Sequence, residues 1–244
     1  MFKAILARLR QGYRTRPFPS EDVKMPHRYL GLPRLKDAPL NRAAAACPYG
    51  AILTEERRLD LGRCVFCGAC AKAAPEAVEF SREYKLCAGS RDALLVGRGD
   101  YKRAEPLARE LTSIFGRSFR LRQVSAGGCA ACEADCNVLG TLAFDMGRFG
   151  IQFVASPRHA DGILVTGPVT KNMELALRKT YAAVSSPKVV IACGACAISG
   201  GPYAGHPECV GIPKDIPVDL YIPGCPPNPY TILDGLLRLI GRAK

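Results

Sequence analysis

Twelve cysteines stand in this chain of 244 residues, and eight of them fall into two sets of four whose spacing suits metal–sulfur chemistry. The first set is Cys64, Cys67 and Cys70, in the pattern C-x2-C-x2-C, with Cys47 upstream in a Cys-Pro pair. The second is Cys129, Cys132, Cys196 and Cys225, on three separated stretches rich in Gly and Pro, with Cys193 competing for the place of Cys196. Thiolates so spaced hold iron–sulfur clusters or zinc. Zinc bound by four cysteines usually takes two short two-cysteine knuckles, a pattern unlike a three-cysteine run with one remote Cys-Pro.

In a two-cluster bacterial ferredoxin, each C-x2-C-x2-C-x3-C-P run gives three thiolates to one cluster and its fourth to the other. Counted back from Cys47, the remaining places of a first run hold Asp37, Leu40 and Ala43, and the fourth place of the second run, before Pro75, holds Ala74. All four ligands of one cluster are gone, and all four of the other are kept. The expectation is a small α+β ferredoxin-like module over residues 41–90 with one [4Fe-4S] cluster on Cys47, Cys64, Cys67 and Cys70.

The elements that must position the second set follow from residue 119. The pattern predicts strands near Phe119 to Val124, Gly162 to Thr166, Lys188 to Ala192 and Val218 to Ile222. It predicts helices from about Cys132 to Met146, Asn172 to Val184 and Tyr230 to Ile240. Strands alternating with helices argue an α/β domain with a doubly wound parallel sheet over residues 119–244. Cys129 and Cys132 then follow the first of those strands, Cys193 and Cys196 the third, and Cys225 the last. In open α/β sheets ligands gather outside the carboxyl ends of the strands, so three loops converge there. The glycines and prolines around them allow tight turns about a cluster. Amides opening the helix after Cys129 would favour thiolate charge.

Before residue 41, Phe2, Ile5, Leu6 and Leu9 share one helical face among Lys3, Arg8 and Arg10, a face that needs a partner. Residues 14–40 are rich in Pro and charge and read as an arm (1–40) of the kind that wraps a neighbour. Residues 91–118 read as a linker, with a helix from Arg103 to Phe115 closed by Gly116. The net charge of +12 is uneven: the part up to Arg122 carries +11, the remainder +1. Basic residues scattered among acids, without interleaved aromatics, argue against nucleic acid and leave three readings: an anionic membrane face, an acidic partner such as an electron carrier, or a solvated basic surface beside two anionic clusters. No apolar run reaches transmembrane length, and no secretory h-region opens the chain. Cysteines at cluster spacing favour a cytoplasmic setting over a disulfide framework.

Over roughly residues 115–242 the chain resembles a known family. The stretches Gly127-Gly-Cys-Ala-Ala-Cys-Glu133, Arg148-Phe-Gly-Ile, Ser156-Pro-Arg-His-Ala-Asp161, Val165-Thr-Gly-Pro, Gly194-Ala-Cys-Ala-Ile-Ser-Gly-Gly201 and Tyr221-Ile-Pro-Gly-Cys-Pro-Pro227 carry the resemblance. They look like the small, cluster-carrying subunit of energy-converting nickel-iron hydrogenases and formate hydrogenlyase. The same family includes the twenty-kilodalton subunit of NADH-quinone oxidoreductase. The resemblance implies a flavodoxin-like fold and one [4Fe-4S] cluster facing a large subunit. Its Gly-x-Cys-x-x-x-Gly-Gly register falls on Cys196, which sets Cys193 aside. Quinone-reducing members carry the first two ligands as adjacent cysteines, whereas hydrogenase small subunits have C-x2-C, as in Cys129-Ala-Ala-Cys132. The hydrogenase branch is therefore expected, with a quinone-reducing complex as the alternative.

The expected function is electron transfer through two [4Fe-4S] clusters to a hydrogenase-like large subunit. The other partners are further iron–sulfur and membrane subunits, which hold the protein on the inner face of the cell membrane. No turnover is expected of the chain alone. Cys87, Cys136 and Cys209 read as packed thiols. Glu133 reads equally as a proton relay or a structural carboxylate, and His159 and His206 as structural. Arg158 and Asp161 are expected to pair or cap near the second strand. Gly194 to Gly201 lacks the dinucleotide register, so no flavin or nicotinamide site is expected.

Overall fold

The structure is a computed structural model and describes residues 2–99, 101–115 and 118–243. Helix α1 (Phe2–Gln11) forms as its periodicity predicts, and none of its residues is buried. Phe2 and Leu9 are 81% and 76% exposed, so the apolar face has no partner within the chain. Deletion of residues 2–11 is expected to move the unfolding midpoint by no more than about 2 °C, since exposed segments contribute within about 0.5 kcal/mol. A larger drop in a calorimetric scan would mean that α1 packs on its own chain.

The arm that follows wraps its own chain. Phe18 is buried against Tyr84 and Tyr230, with ring centroids 6.1 and 5.6 Å away. The Arg148 guanidinium donates to the carbonyls of Arg16 and Phe18, at 2.8 Å each. Within the same stretch, β1 (Pro33–Leu35) pairs antiparallel with β4 (Val78–Phe80). Between them lie α2 (Asn41–Ala45), β2 (Ile52–Leu53), β3 (Arg58–Asp60) and α3 (Ala69–Ala73). β5 (Leu95–Val96), inside the stretch read as linker, joins β3 and β2 in a three-stranded antiparallel sheet. This small α+β unit buries Leu40, Ala43 and Ala74 in one apolar cluster with Leu59, Leu61 and Leu94. Three of the four places that lack cysteine are thus core positions.

The linker helix is shorter than its apolar spacing suggests. α4 covers Arg109–Phe115 only, because residues 103–108 are held by other partners: the Ala104 N–H donates to the Cys87 carbonyl at 2.7 Å and the Leu107 N–H to that of Leu239 at 2.9 Å. The cap expected at Gly116 lies outside the described residues.

The second half is a parallel sheet of five strands: β6 (Phe119–Ser125), β7 (Ile151–Phe153), β8 (Gly162–Thr166), β9 (Val189–Cys193) and β10 (Leu220–Ile222). Their order across the sheet is β7-β6-β8-β9-β10, the 2-1-3-4-5 order of a flavodoxin-like fold. β7 is a three-residue edge strand that the pattern did not reveal, so Cys193 belongs to the fourth strand of the domain and not the third. The helix after Cys129, α5 (Ala131–Val138), stops eight residues earlier than expected. The Thr141 hydroxyl caps the Val138 carbonyl at 2.7 Å, and Asp145 adopts a left-handed conformation that no helix continues through. α6 (Lys171–Ala183), α7 (Ala195–Ser199) and α8 (Pro229–Leu239) complete the domain.

Alternate residues of the strands serve two cores. Leu121, Leu164, Ile191 and Leu220 face α8, while Ile163, Val165 and Val190 join Leu177 of α6 on the other face. α8 is buried from Thr231 to Leu239 on every side, because the sheet covers one flank and residues near Tyr84 and Cys87 cover the other. Among the described residues no helix is long and apolar enough to cross a membrane.

Candidate metal centres

The first four cysteines meet around one short loop. Cys47 follows α2, Cys64 and Cys67 lie in the loop after β3, and Cys70 sits in α3. The Ala51 N–H donates to Cys47 Sγ at 3.3 Å and the Phe66 N–H to Cys64 Sγ at 3.4 Å. Phe66 and Gly68 take positive φ, which bends the loop around the sulfurs. Burial pushes the Cys64 thiol up to about 12, and the neighbouring Cys70, Cys47 and Cys67 push it the same way. Burial likewise raises Cys70, again with Cys47 and Cys67.

The second four gather at the carboxyl edge of the parallel sheet. Cys129 lies in the loop after β6, Cys132 in the first turn of α5, Cys196 in α7 after β9, and Cys225 after β10. Backbone bonds tie two of these loops together: the Gly194 N–H donates to the Ile222 carbonyl and the Ala195 N–H to that of Gly224, both at 2.8 Å. Gly194, at φ +92°, approaches Cys132 so closely that a Cβ there would lie 2.6 Å from its Sγ. Burial pushes Cys196 up to about 11, with Cys225 and Cys129 adding to the effect. Cys132 is raised by burial, then by Cys196 among its neighbours. Cys129 and Cys225 are exposed, so this edge opens outward.

In both sets buried thiols oppose one another's ionisation. Burial and neighbouring thiols disfavour their ionisation until a cation is bound, and four cysteines so placed form a donor set that suits a metal–sulfur site. Among the described residues no three His, Cys, Asp or Glu side chains converge as one metal ion requires. A four-iron cluster takes one thiolate at each iron, so its ligands surround a volume and need not meet at a point.

Cys193 points elsewhere. As the last residue of β9 it is fully buried, with Cys136 of α5 as its sulfur partner. Cys87 is buried and donates to the Thr231 carbonyl at 3.2 Å, while half-buried Cys209 reaches that of Pro168 at 3.4 Å. Glu133 Oε1 accepts from the Thr166 and Ser125 hydroxyls at 2.6 and 2.7 Å. Burial lifts its pKa, but these two hydroxyls and a backbone N–H hold it below the ordinary value, an ionised brace between β6 and β8. Asp161 caps the Arg120 N–H at 2.6 Å, so its partner is main chain and not Arg158. His206 Nδ1 accepts the Glu208 N–H at 3.2 Å in a local turn, and His159 ends an exposed one.

One group was invisible in the sequence. Asp60 and Arg91, 31 positions apart, form a two-bond ion pair, and Ser199 bonds to Gly62 across 137 positions. No motif or periodicity marks either pair.

Comparison with known proteins places the second half of the chain among oxidoreductase subunits. Residues 129–239 match the family described as NADH ubiquinone oxidoreductase, 20 Kd subunit. An NADH-quinone oxidoreductase subunit of Citrifermentans bemidjiense is 46% identical over 112 residues, which are 46% of this chain and 66% of that protein. The match therefore spans slightly less than two thirds of that relative. A probable membrane-bound hydrogenase subunit, mbhJ of Pyrococcus furiosus, is 39% identical over 145 residues, 59% of this chain and 86% of that one. A chain in the structure of an archaeal respiratory membrane complex, the membrane-bound sulfane sulfur reductase, is 34% identical. It covers 55% of this chain and 75% of its own, at a TM-score of 0.47.

Proposed function

Because this chain belongs to the NADH ubiquinone oxidoreductase 20 Kd subunit family, we propose that it is the electron-transfer iron–sulfur subunit of a multisubunit oxidoreductase held at the membrane by its partners. Cys47, Cys64, Cys67 and Cys70 hold one [4Fe-4S] cluster in the module at 41–90. Cys129, Cys132, Cys196 and Cys225 hold a second in the domain at 119–244, with 1–40 as arm and 91–118 as linker. The carrying observation is that three loops distant in sequence bring four cysteines to the carboxyl edge of one parallel sheet. A bound cluster supplies one-electron carriage at a potential set by ligation, hydrogen bonds and burial. The N–H groups of Ala51 and Phe66 stabilise thiolate charge at Cys47 and Cys64, and Gly194 leaves room for Cys132. Exposed Cys129 and Cys225 mark the edge that faces the large subunit.

The large subunit is of the nickel-iron hydrogenase kind, in a formate hydrogenlyase-like assembly on the inner face of the cell membrane. The spacing Cys129-Ala-Ala-Cys132 and the 86% coverage of the hydrogenase relative support this. The higher identity to the NADH-quinone oxidoreductase relative, over a shorter stretch, supports the quinone-reducing alternative. Nickel-binding cysteines in the neighbouring large subunit would separate the two.

Anaerobically purified protein is expected to be brown and to carry about eight irons, four to a cluster. Stoichiometric zinc with negligible iron would sink the proposal. In the whole complex, Cys67→Ser is expected to remove the first cluster and slow donor-linked hydrogen evolution, while hydrogen-isotope exchange at the large subunit persists. Unchanged donor-linked rates in a variant lacking that cluster would show that electrons enter by another path. Rates should also fall as ionic strength rises, because an acidic carrier docks on the basic first half.

A further inference from the structure

A hydrogen bond joins residues beside the two proposed cluster sites. Asp60, 4% exposed at the end of β3, accepts both terminal nitrogens of Arg91, at 2.8 and 2.6 Å. The same carboxylate accepts the Gly62 N–H at 2.8 Å, and the Asp60 carbonyl accepts the Cys64 N–H at 3.0 Å. The stretch from Gly62 to Cys64 is therefore fixed from one side. From the other, Ser199, the last residue of α7, donates its hydroxyl to the Gly62 carbonyl at 2.8 Å. Ile198 packs among the apolar residues of the first module. A Cβ at Gly62 would fall 2.7 Å from Ile198 Cγ2 and 2.9 Å from Arg91 Cζ, so a larger residue there would push one of these side chains aside. Gly62 lies two residues from Cys64 and Ser199 three from Cys196.

We propose that the hydrogen bond from Ser199 to the Gly62 carbonyl, locked by the Asp60–Arg91 pair, is the electron bridge between the two clusters. The inference rests on the two-cluster reading above. Covalent chain and one hydrogen bond connect Cys64 to Cys196, and electron tunnelling decays faster across a gap than along bonds. One electron passes from the reduced first cluster to the oxidised second, and no bond or proton is exchanged. A second tie holds the halves in place without this contact: Ala88 and Tyr221 exchange backbone hydrogen bonds at 2.8 and 3.1 Å. Loss of the Ser199 hydroxyl therefore removes the bridge and leaves the halves docked.

The test uses the full chain with both clusters in two samples followed by electron paramagnetic resonance: one reduced fully by excess dithionite, which shows the splitting, and one reduced rapidly by less than one electron per chain, which shows how that electron redistributes. Ser199→Ala is expected to keep full iron content and the magnetic splitting between the reduced clusters. Redistribution of the electron should slow severalfold at unchanged splitting, because a through-space gap replaces the hydrogen bond while the separation stays the same. Gly62→Val, which forces Ile198 or Arg91 aside, should also shrink the splitting, since dipolar coupling falls with the cube of separation. Unchanged redistribution in Ser199→Ala with both clusters intact would overturn the bridge. A slower rate accompanied by a smaller splitting in that variant would also overturn it, since Ser199 would then be only a spacer. About four irons in the unsubstituted chain would instead remove the two-cluster reading itself.

Discussion

Cys196→Ala is expected to halve the iron content, from about eight to about four, and Cys193→Ala to leave it whole. The two residues are three apart at the end of one strand and just beyond it, so composition cannot separate them. The pleat does. Cys193 ends β9 with its side chain turned into the core shared with α5 and α8, where it meets Cys136. The chain then reverses at Gly194, φ +92°, and α7 carries Cys196 to the sheet edge where Cys129 and Cys225 stand. Cys193→Ala should thus act only as a small core truncation, costing about 1 kcal/mol and lowering the midpoint by about 2–4 °C. Loss of the second cluster in Cys193→Ala, with retention in Cys196→Ala, would reverse the assignment.

Arg238→Leu is expected to cost about 3–5 kcal/mol and to lower the unfolding midpoint by about 6–20 °C. In α8 the Arg238 Nε donates to Asp234 Oδ2 at 2.8 Å, and both side chains are buried between the sheet and the first module. Removing Arg238 strands a carboxylate where solvation is poor. Asp234 already sits above its ordinary 3.8, raised by burial and held back chiefly by Arg238. A carboxyl whose folded pKa is raised contributes least to stability above that value, and the penalty fades as the pH falls to the unfolded value. The deficit of Arg238→Leu should therefore be full at neutral pH and narrow on acidification. The double variant Asp234→Leu with Arg238→Leu should recover most of the loss. Urea unfolding at pH 7 and pH 5 reads both effects, and a deficit independent of pH would exclude Asp234 as its source.

Chemistry and repeating local pattern were legible in the residues themselves. The βα alternation from Phe119 onward announced a doubly wound parallel sheet, since strand and helix periods are local signals, and the family resemblance implied its flavodoxin-like form. α6 and α8 lie within one residue of expectation, because each carries its own apolar stripe over three or more turns. What depended on distant partners was not legible. β7 has only three residues and exists because β6 lends it an edge. Residues 103–108 have helical spacing yet run irregularly, since carbonyls of Cys87 and Leu239 capture their amides. The arm's Phe18 finds its partners in Tyr84 and Tyr230. The sequence by itself determined which cysteines could act together. Only the tertiary structure decided that Cys193 turns inward and that Gly62 meets Ser199, because one depends on which face of a strand is core and the other on a contact 137 positions long.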